Sequence, residues 1–152
     1  MRILKANKSD ISELYALQLL SFESEAEMIG SRQVPALLES EDENAADFAN
    51  WDILKLVDDD GKIIGAIRSR QNNGIVEIGR LMVHPDHRRC GLAQFLLSEI
   101  DKAYPNDIKE LYTCTKSWIN IRLYEKMGYK AYKEHTEENG LSFVYMRKPL
   151  SI

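Results

Sequence analysis

The chain has 152 residues, 44% of them hydrophobic and 29% charged. That size suits a single domain able to bury roughly 70% of its unfolded surface, and the apolar share excludes an intrinsically disordered chain. The 20 basic and 24 acidic residues leave a net charge of −4, which argues against a phosphate-backbone binder and leaves room for a local basic site on a small phosphorylated molecule. Residues 2–6 (Arg-Ile-Leu-Lys-Ala) read as a short strand. Asn7 or Ser9 then caps a helix carrying Ile11, Leu14, Tyr15, Leu19 and Phe22 at helical spacing. Residues 36–50, after Pro35, read as a second and strongly acidic helix. From Asp52 the period changes to that of strands: Ile53 to Val57, Lys62 to Arg70 and Ile75 to His84, separated by Asp60-Gly61 and Asn73-Gly74. Asp-Gly and Asn-Gly between apolar runs are strong hairpin signals, so these strands are expected as an antiparallel meander.

Pro85 to Cys90 is a basic loop, and Gly91 to Tyr104 an amphipathic helix. A strand follows at 108–114. A strand-helix-strand unit of this length is a crossover, which makes the strands at 75–84 and 108–114 parallel. A helix at 117–127 and two strands at 129–135 and 141–148, turned at Asn139-Gly140, complete the chain. The expected fold is a mixed α/β sheet of six to seven strands, an antiparallel meander followed by a parallel crossover pair, as one domain over residues 1–152. No apolar run exceeds the five residues of Ile63 to Ile67, and no apolar leader follows Met1. The chain therefore reads as soluble, unexported and cytoplasmic, without membrane or nucleic-acid partners. Cys90 and Cys114 form neither a disulfide framework nor a zinc-site spacing, and read as free thiols.

Ligands of parallel strands collect outside the strands' carboxyl ends, where the next helix begins. Here that place is His84-Pro85-Asp86-His87-Arg88-Arg89-Cys90-Gly91-Leu92-Ala93. Free N–H groups and a positive dipole end suit an anion, and Arg88 and Arg89 add charge that pairs with phosphate oxygens. The string is neither a Walker loop nor a Rossmann fingerprint. It fits Arg/Gln-x-x-Gly-x-Gly/Ala, preceded by Leu81-Met82-Val83-His84-Pro85 and followed downstream by Leu123-Tyr124-Glu125-Lys126-Met127-Gly128-Tyr129. With those surroundings the sequence resembles the GNAT superfamily of acyl-CoA-dependent N-acyltransferases over most of its length.

The resemblance implies a GNAT-like sheet with helices on both faces and acetyl-CoA as acyl donor. It implies that the backbone of Arg88, Arg89, Cys90, Gly91, Leu92 and Ala93 grips the pyrophosphate. Leu81, Met82 and Val83 would pair with the pantetheine arm in a cleft opened by a bulged strand. Strict alternation would set Arg80 opposite Glu77, Gly79, Leu81 and Val83, so a bulge is expected near Gly79-Arg80. Acyl transfer needs a neutral amine, a donor for the oxyanion and a proton for the departing thiolate. Tyr124 falls at the family's general-acid position, and its pKa of about 10 keeps it protonated until a thiolate appears. The alternative is a half-buried tyrosine of an amphipathic helix. Glu77 is the base candidate, acting through a water, or else a strand-face glutamate paired with Arg80 or Lys62. A backbone N–H near Met82 is the candidate oxyanion donor.

Where the family often places Asn, seven residues before the Tyr, this chain has Ser117. Ser117, Asn120 and Tyr124 share a helix face, so either polar residue could reach the cofactor, with Asn120 favoured for its amide. A Cys90 or Cys114 nucleophile lacks an evident His partner. His84 and His87 flank the loop as phosphate contacts or plain exposed histidines. The run Glu39, Glu41, Asp42 and Glu43 reads as a solvated helix face or an attraction for a cationic amine. Trp51 and Trp118 read as core or rim anchors. The expected function is acetyl transfer to a primary amine, small-molecule or peptide, by direct attack in a ternary complex, and a homodimer is frequent among such relatives. A non-catalytic acyl-CoA sensor or scaffold is the alternative, and a phosphotransferase lacks its Walker lysine.

Overall fold

Turn chemistry sets the sheet. In the computed structural model, which describes residues 1–150, Asn73 (φ 53) and Gly74 (φ 79) occupy a two-residue hairpin turn that needs both angles positive. They join strands Ile63–Asn72 and Ile75–Val83. In chain order the strands are β1 (Arg2–Lys5), β2 (Asp52–Val57), β3 (Ile63–Asn72), β4 (Ile75–Val83), β5 (Ile108–Cys114), β6 (Lys130–Thr136) and β7 (Ser142–Lys148). The helices are α1 (Ile11–Ile29), α2 (Pro35–Leu38), α3 (Glu41–Asp47), α4 (Leu92–Ala103) and α5 (Trp118–Lys126). The strands lie in one sheet in the order β1-β2-β3-β4-β5-β7-β6. β4 and β5 are parallel and the other neighbours antiparallel, as the crossover required.

Helices cover both faces. Leu92, Leu96, Leu97 and Ile100 of α4 pack with Tyr124 of α5 on Ile64, Ile67, Val76 and Ile78. Leu14 and Leu17 of α1 pack on Val57, Ile63, Ala66 and Met82 of the opposite face. Asn7 supplies the first cap: its Oδ1 accepts from the Ser9 N–H at 3.0 Å, and Asp10 returns a bond to the Asn7 N–H at 2.9 Å. The buried stripe of α1 runs through Leu14, Leu17, Gln18, Ala26 and Ile29, and Leu19, expected inside, is 37% exposed.

The single acidic helix expected over 36–50 is two helices and a 3-10 turn (Phe48–Asn50), broken where Glu39 and Ser40 are extended. Ser40 and Glu43 form a reciprocal capping box, 3.1 Å and 2.9 Å, and that box starts a new helix instead of extending the old one.

β4 departs from regular pairing in two ways. Ala66 pairs with Met82 but Arg68 pairs with Gly79, so Ile67 faces both Arg80 and Leu81, and Arg80 takes the left-handed φ of 45. This is the expected bulge, one residue further along. It resets the alternation: Leu81 and Val83 join Val76 and Ile78 in the α4 core, while Met82 turns to α1. β4 also pairs with β5 only from Ile75 to Glu77, against Ile108 to Glu110. Beyond that point the two strands diverge, and a wedge opens between them.

Candidate active site

The wedge holds a cavity of about 290 Å³, walled by β3, β4 and β5 and closed by α1 and α5. Tyr124 on α5 reaches its floor. Gly128, at φ 98, ends the helix and returns the chain so that Tyr129 packs edge-on against the Tyr124 ring at 6.0 Å. Tyr124 is buried, and burial first, then the nearby negative charge of Glu25, push its hydroxyl well above the usual phenol range. The hydroxyl stays protonated at any physiological pH.

Glu25 is the residue the sequence did not single out. It projects from α1 into the cavity, where Ser117 Oγ donates to its Oε1 at 2.5 Å and Thr113 Oγ1 donates at 3.4 Å. Burial raises its pKa, while the bonds from Ser117 and Thr113, the charge of Arg80 and the Asn120 amide pull it back without cancelling the rise. The signal was present as spacing: Glu25 lies seven residues after Gln18 and four before Ile29, both buried. Its place in the acidic run Glu23-Ser24-Glu25-Ala26-Glu27 masked it. Ser117 is fully buried with its hydroxyl committed to Glu25, whereas Asn120 lines the cavity.

Glu77 stands at the cavity rim, directly opposite Arg70 in the β3–β4 register. Its partner is Arg70, in place of Arg80 or Lys62: Nε donates at 2.9 Å and Nη2 at 3.2 Å, one to each carboxylate oxygen. The side chain is 47% exposed. Trp51 is a rim anchor, with the guanidinium groups of Arg68 and Arg70 each 4.0 Å from its ring centre and its Nε1 bonded to Asp47 at 3.0 Å. Trp118 is 56% exposed, beside Arg122. Of the acidic run, Glu41, Asp42 and Glu43 are solvated on α3, but Glu39 turns inward to Gln18, Asn44 and Arg80. Cys114 is buried on the cavity wall, and Cys90 is an exposed thiol of the loop.

The loop after β4 is built to leave amides free. His84 Nδ1 accepts from the Asp86 N–H at 3.1 Å and fixes a 3-10 turn over Pro85–His87. Arg89 (φ 63) and Gly91 (φ 74) then turn the chain through left-handed conformations into α4, whose N-terminus has no side-chain cap. Arg88, Arg89, Cys90 and Gly91 are exposed, Ala93 is half-buried and Leu92 anchors the turn in the core. Arg88 donates one bond to the Ser21 carbonyl at 3.3 Å. A β-carbon on Gly91 would touch nothing, so glycine serves the φ angle there and not the space. An uncapped, arginine-flanked helix start fits a diphosphate. The edge of Leu81, Met82 and Val83 facing the wedge has no ladder partner on β5, which fits an amide-bearing arm.

A family model described as an acetyltransferase (GNAT) domain matches residues 38–150, and the chain belongs to that family. It is 30% identical over 119 residues to UPF0157 protein YqkA of Bacillus subtilis (strain 168), covering 78% of this chain and 34% of that protein. The chain thus spans about a third of the length of that curated relative. Among solved structures, the ribosomal-protein-S18-alanine N-acetyltransferase from Escherichia coli superposes with a TM-score of 0.77 at 18% identity, over 99% of this chain and 94% of that one. The Salmonella typhimurium protein yncA, solved with its cofactor acetyl-CoA, gives 0.73 at 17% identity, over 100% and 95%. At such identities these likenesses show the fold. No helix among the described residues is long and apolar enough to cross a membrane.

Proposed function

We propose that the protein is an N-acetyltransferase that moves the acetyl group of acetyl-CoA to a primary amine by direct attack in a ternary complex. The observation that carries this reading is the divergence of β4 from β5 after Glu77, with Tyr124 and Asn120 at the bottom of the wedge. Acetyl-CoA supplies an acyl group on a thiolate leaving group. Residues 88–93 would hold its diphosphate and the Leu81–Val83 edge its pantetheine arm, with Asn120 at the inner end. Burial keeps the Tyr124 hydroxyl protonated until the sulfur departs, so a proton is in place for the leaving thiolate, and because the bare phenolate is costly the phenol takes back the proton that the attacking amine gives up. A backbone N–H near Met82, on the edge left without a β5 partner past the bulge, would be the donor to the carbonyl oxygen.

Glu77 takes the amine's proton through a water at the rim. A second reading gives that proton to Glu25, favoured by its burial beside Tyr124 and by the two Glu77 oxygens being already bonded to Arg70. The acceptor is a small-molecule or peptide amine, and the site of action is the cytoplasm.

Thiol release by Tyr124→Phe tests the assignment. Acetyl-CoA affinity stays within about twofold and kcat falls about 100-fold, the usual size of a general-acid contribution. An unchanged kcat removes Tyr124 from the chemistry. Binding of acetyl-CoA without release of thiol toward any amine would make the protein an acyl-CoA sensor.

A further inference from the structure

Two arginines on the wall of the cavity lack adequate partners. The side chains of Arg68 on β3 and Arg80 at the bulge are 12% and 14% exposed, and the Nε of each is buried with no hydrogen-bond partner. Among the described residues the ion pair of each is long, Arg68 to Asp47 at 3.5 Å and Arg80 to Glu39 at 3.7 Å, with the Trp51 ring over Arg68 and the charge of Glu25 near Arg80. Those carboxylates are engaged elsewhere. Asp47 accepts from Asn50 at 2.8 Å and Trp51 at 3.0 Å, and Glu39 accepts from Gln18 at 2.9 Å and Asn44 at 3.0 Å. The arginines also repel each other: Arg68 is lowered to about 10, first by burial and then by the charge of Arg80. Arg70, the third arginine here, differs in donating from both Nε and Nη2 to Glu77.

The backbone makes room for this arrangement. A β-carbon at Gly79 would meet Arg68 Nε at 3.0 Å and the Trp51 ring at 3.5 Å, so glycine there lets Arg68 lie flat under Trp51. Buried guanidinium donors without acceptors destabilise a fold unless something completes them. A planar or tetrahedral oxyanion in the cavity would pair with the guanidinium surface that the two arginines leave open to it, the Nε atoms themselves being closed off. CoA phosphates are not that group, because residues 88–93, the diphosphate loop, do not line this cavity.

We propose that the amine acceptor carries an oxyanion, a carboxylate or a phosphonate, seated between Arg68 and Arg80 with its nitrogen directed to Glu25 and Tyr124. Amino acids and amino-phosphonates are the substrate class, and a polycationic amine lacks the group that Arg68 and Arg80 would hold. The proposal rests on the acetyltransferase reading and narrows its acceptor.

Matched acid and amide pairs test it: α-amino acids and their amides, β-alanine and its amide, aminoalkylphosphonates, and spermidine as the cation, each with saturating acetyl-CoA. The acid exceeds its amide in kcat/KM by at least about tenfold, the size of a charged hydrogen bond. In Arg68→Gln and Arg80→Gln that ratio falls toward one while acetyl-CoA affinity holds. The carboxylate and phosphonate arms show which oxyanion fits. Amides or spermidine matching the acids, or a ratio that survives both substitutions, would overturn the proposal. If a variant fails to fold, the wild-type ratio decides. If no amine releases thiol, the acetyltransferase reading fails, and calorimetry of the same pairs with CoA-loaded protein decides the anion subsite. There a tenfold preference for the acid supports the subsite and equal binding overturns it.

Discussion

Glu25 is subject to two opposed influences. Its burial favours the neutral acid, while the hydroxyls of Ser117 and Thr113 and the charge of Arg80 favour the carboxylate, and burial prevails. A carboxylate that takes a proton from an amine, or pairs with an ammonium, works only when ionised. The acidic limb of kcat/KM is therefore expected above the ordinary carboxylate range, and Glu25→Gln is expected to flatten it. The same limb surviving in Glu25→Gln but lost in Glu77→Gln would assign the proton to the rim carboxylate. Stability carries the matching sign. The folded chain holds the Glu25 proton more tightly than the unfolded chain, so this residue's contribution to stability falls as pH rises from the ordinary carboxylate value through the raised one. Melting temperature against pH should lose that slope in Glu25→Gln, and an unaltered slope would contradict the burial argument.

Between strand and helix, conformation is held by single residues. Gly91 has space for a methyl group but not the dihedral, since φ 74 costs an L-residue about 1–2 kcal/mol. Gly91→Ala is expected to lower stability by about that amount and to weaken acetyl-CoA by displacing the first amides of α4, as read by melting temperature and titration. A Gly91→Ala protein with wild-type affinity would free the loop of its assigned role. The hairpins, the crossover and the loop were legible in the sequence because their determinants are local: Asn73-Gly74, the Pro85 to Gly91 string, the period of α4. The bulge was legible from the clash between alternation and Arg80. The break at Glu39-Ser40 was not, because a capping box competed with a good helical pattern and won. The pairing of Arg70 with Glu77 followed from the Asn73-Gly74 hairpin register and Glu25 from its helical spacing, and both were passed over, whereas the orphaned Nε of Arg68 and Arg80 depend on tertiary packing, which no local window shows.

On the scale of the whole molecule, the chain is acidic, with net charge −4, and its cleft balances Arg68, Arg70 and Arg80 against Glu25, Asp47 and Glu77. Arg88 and Arg89 sit on an exposed turn at one end of the wedge, while Arg68, Arg70 and Arg80 lie inside it. The overall field repels anions weakly, so on the proposed reading the loop has to supply the attraction for acetyl-CoA. Calorimetric titration of acetyl-CoA into the wild-type chain and into Arg88→Glu is the direct measurement. The expected result is one site per chain, weakened at least about tenfold by the charge reversal, as the loss of a charged phosphate contact requires. No binding to the wild type, or equal affinity in both proteins, would contradict a CoA site at the start of α4.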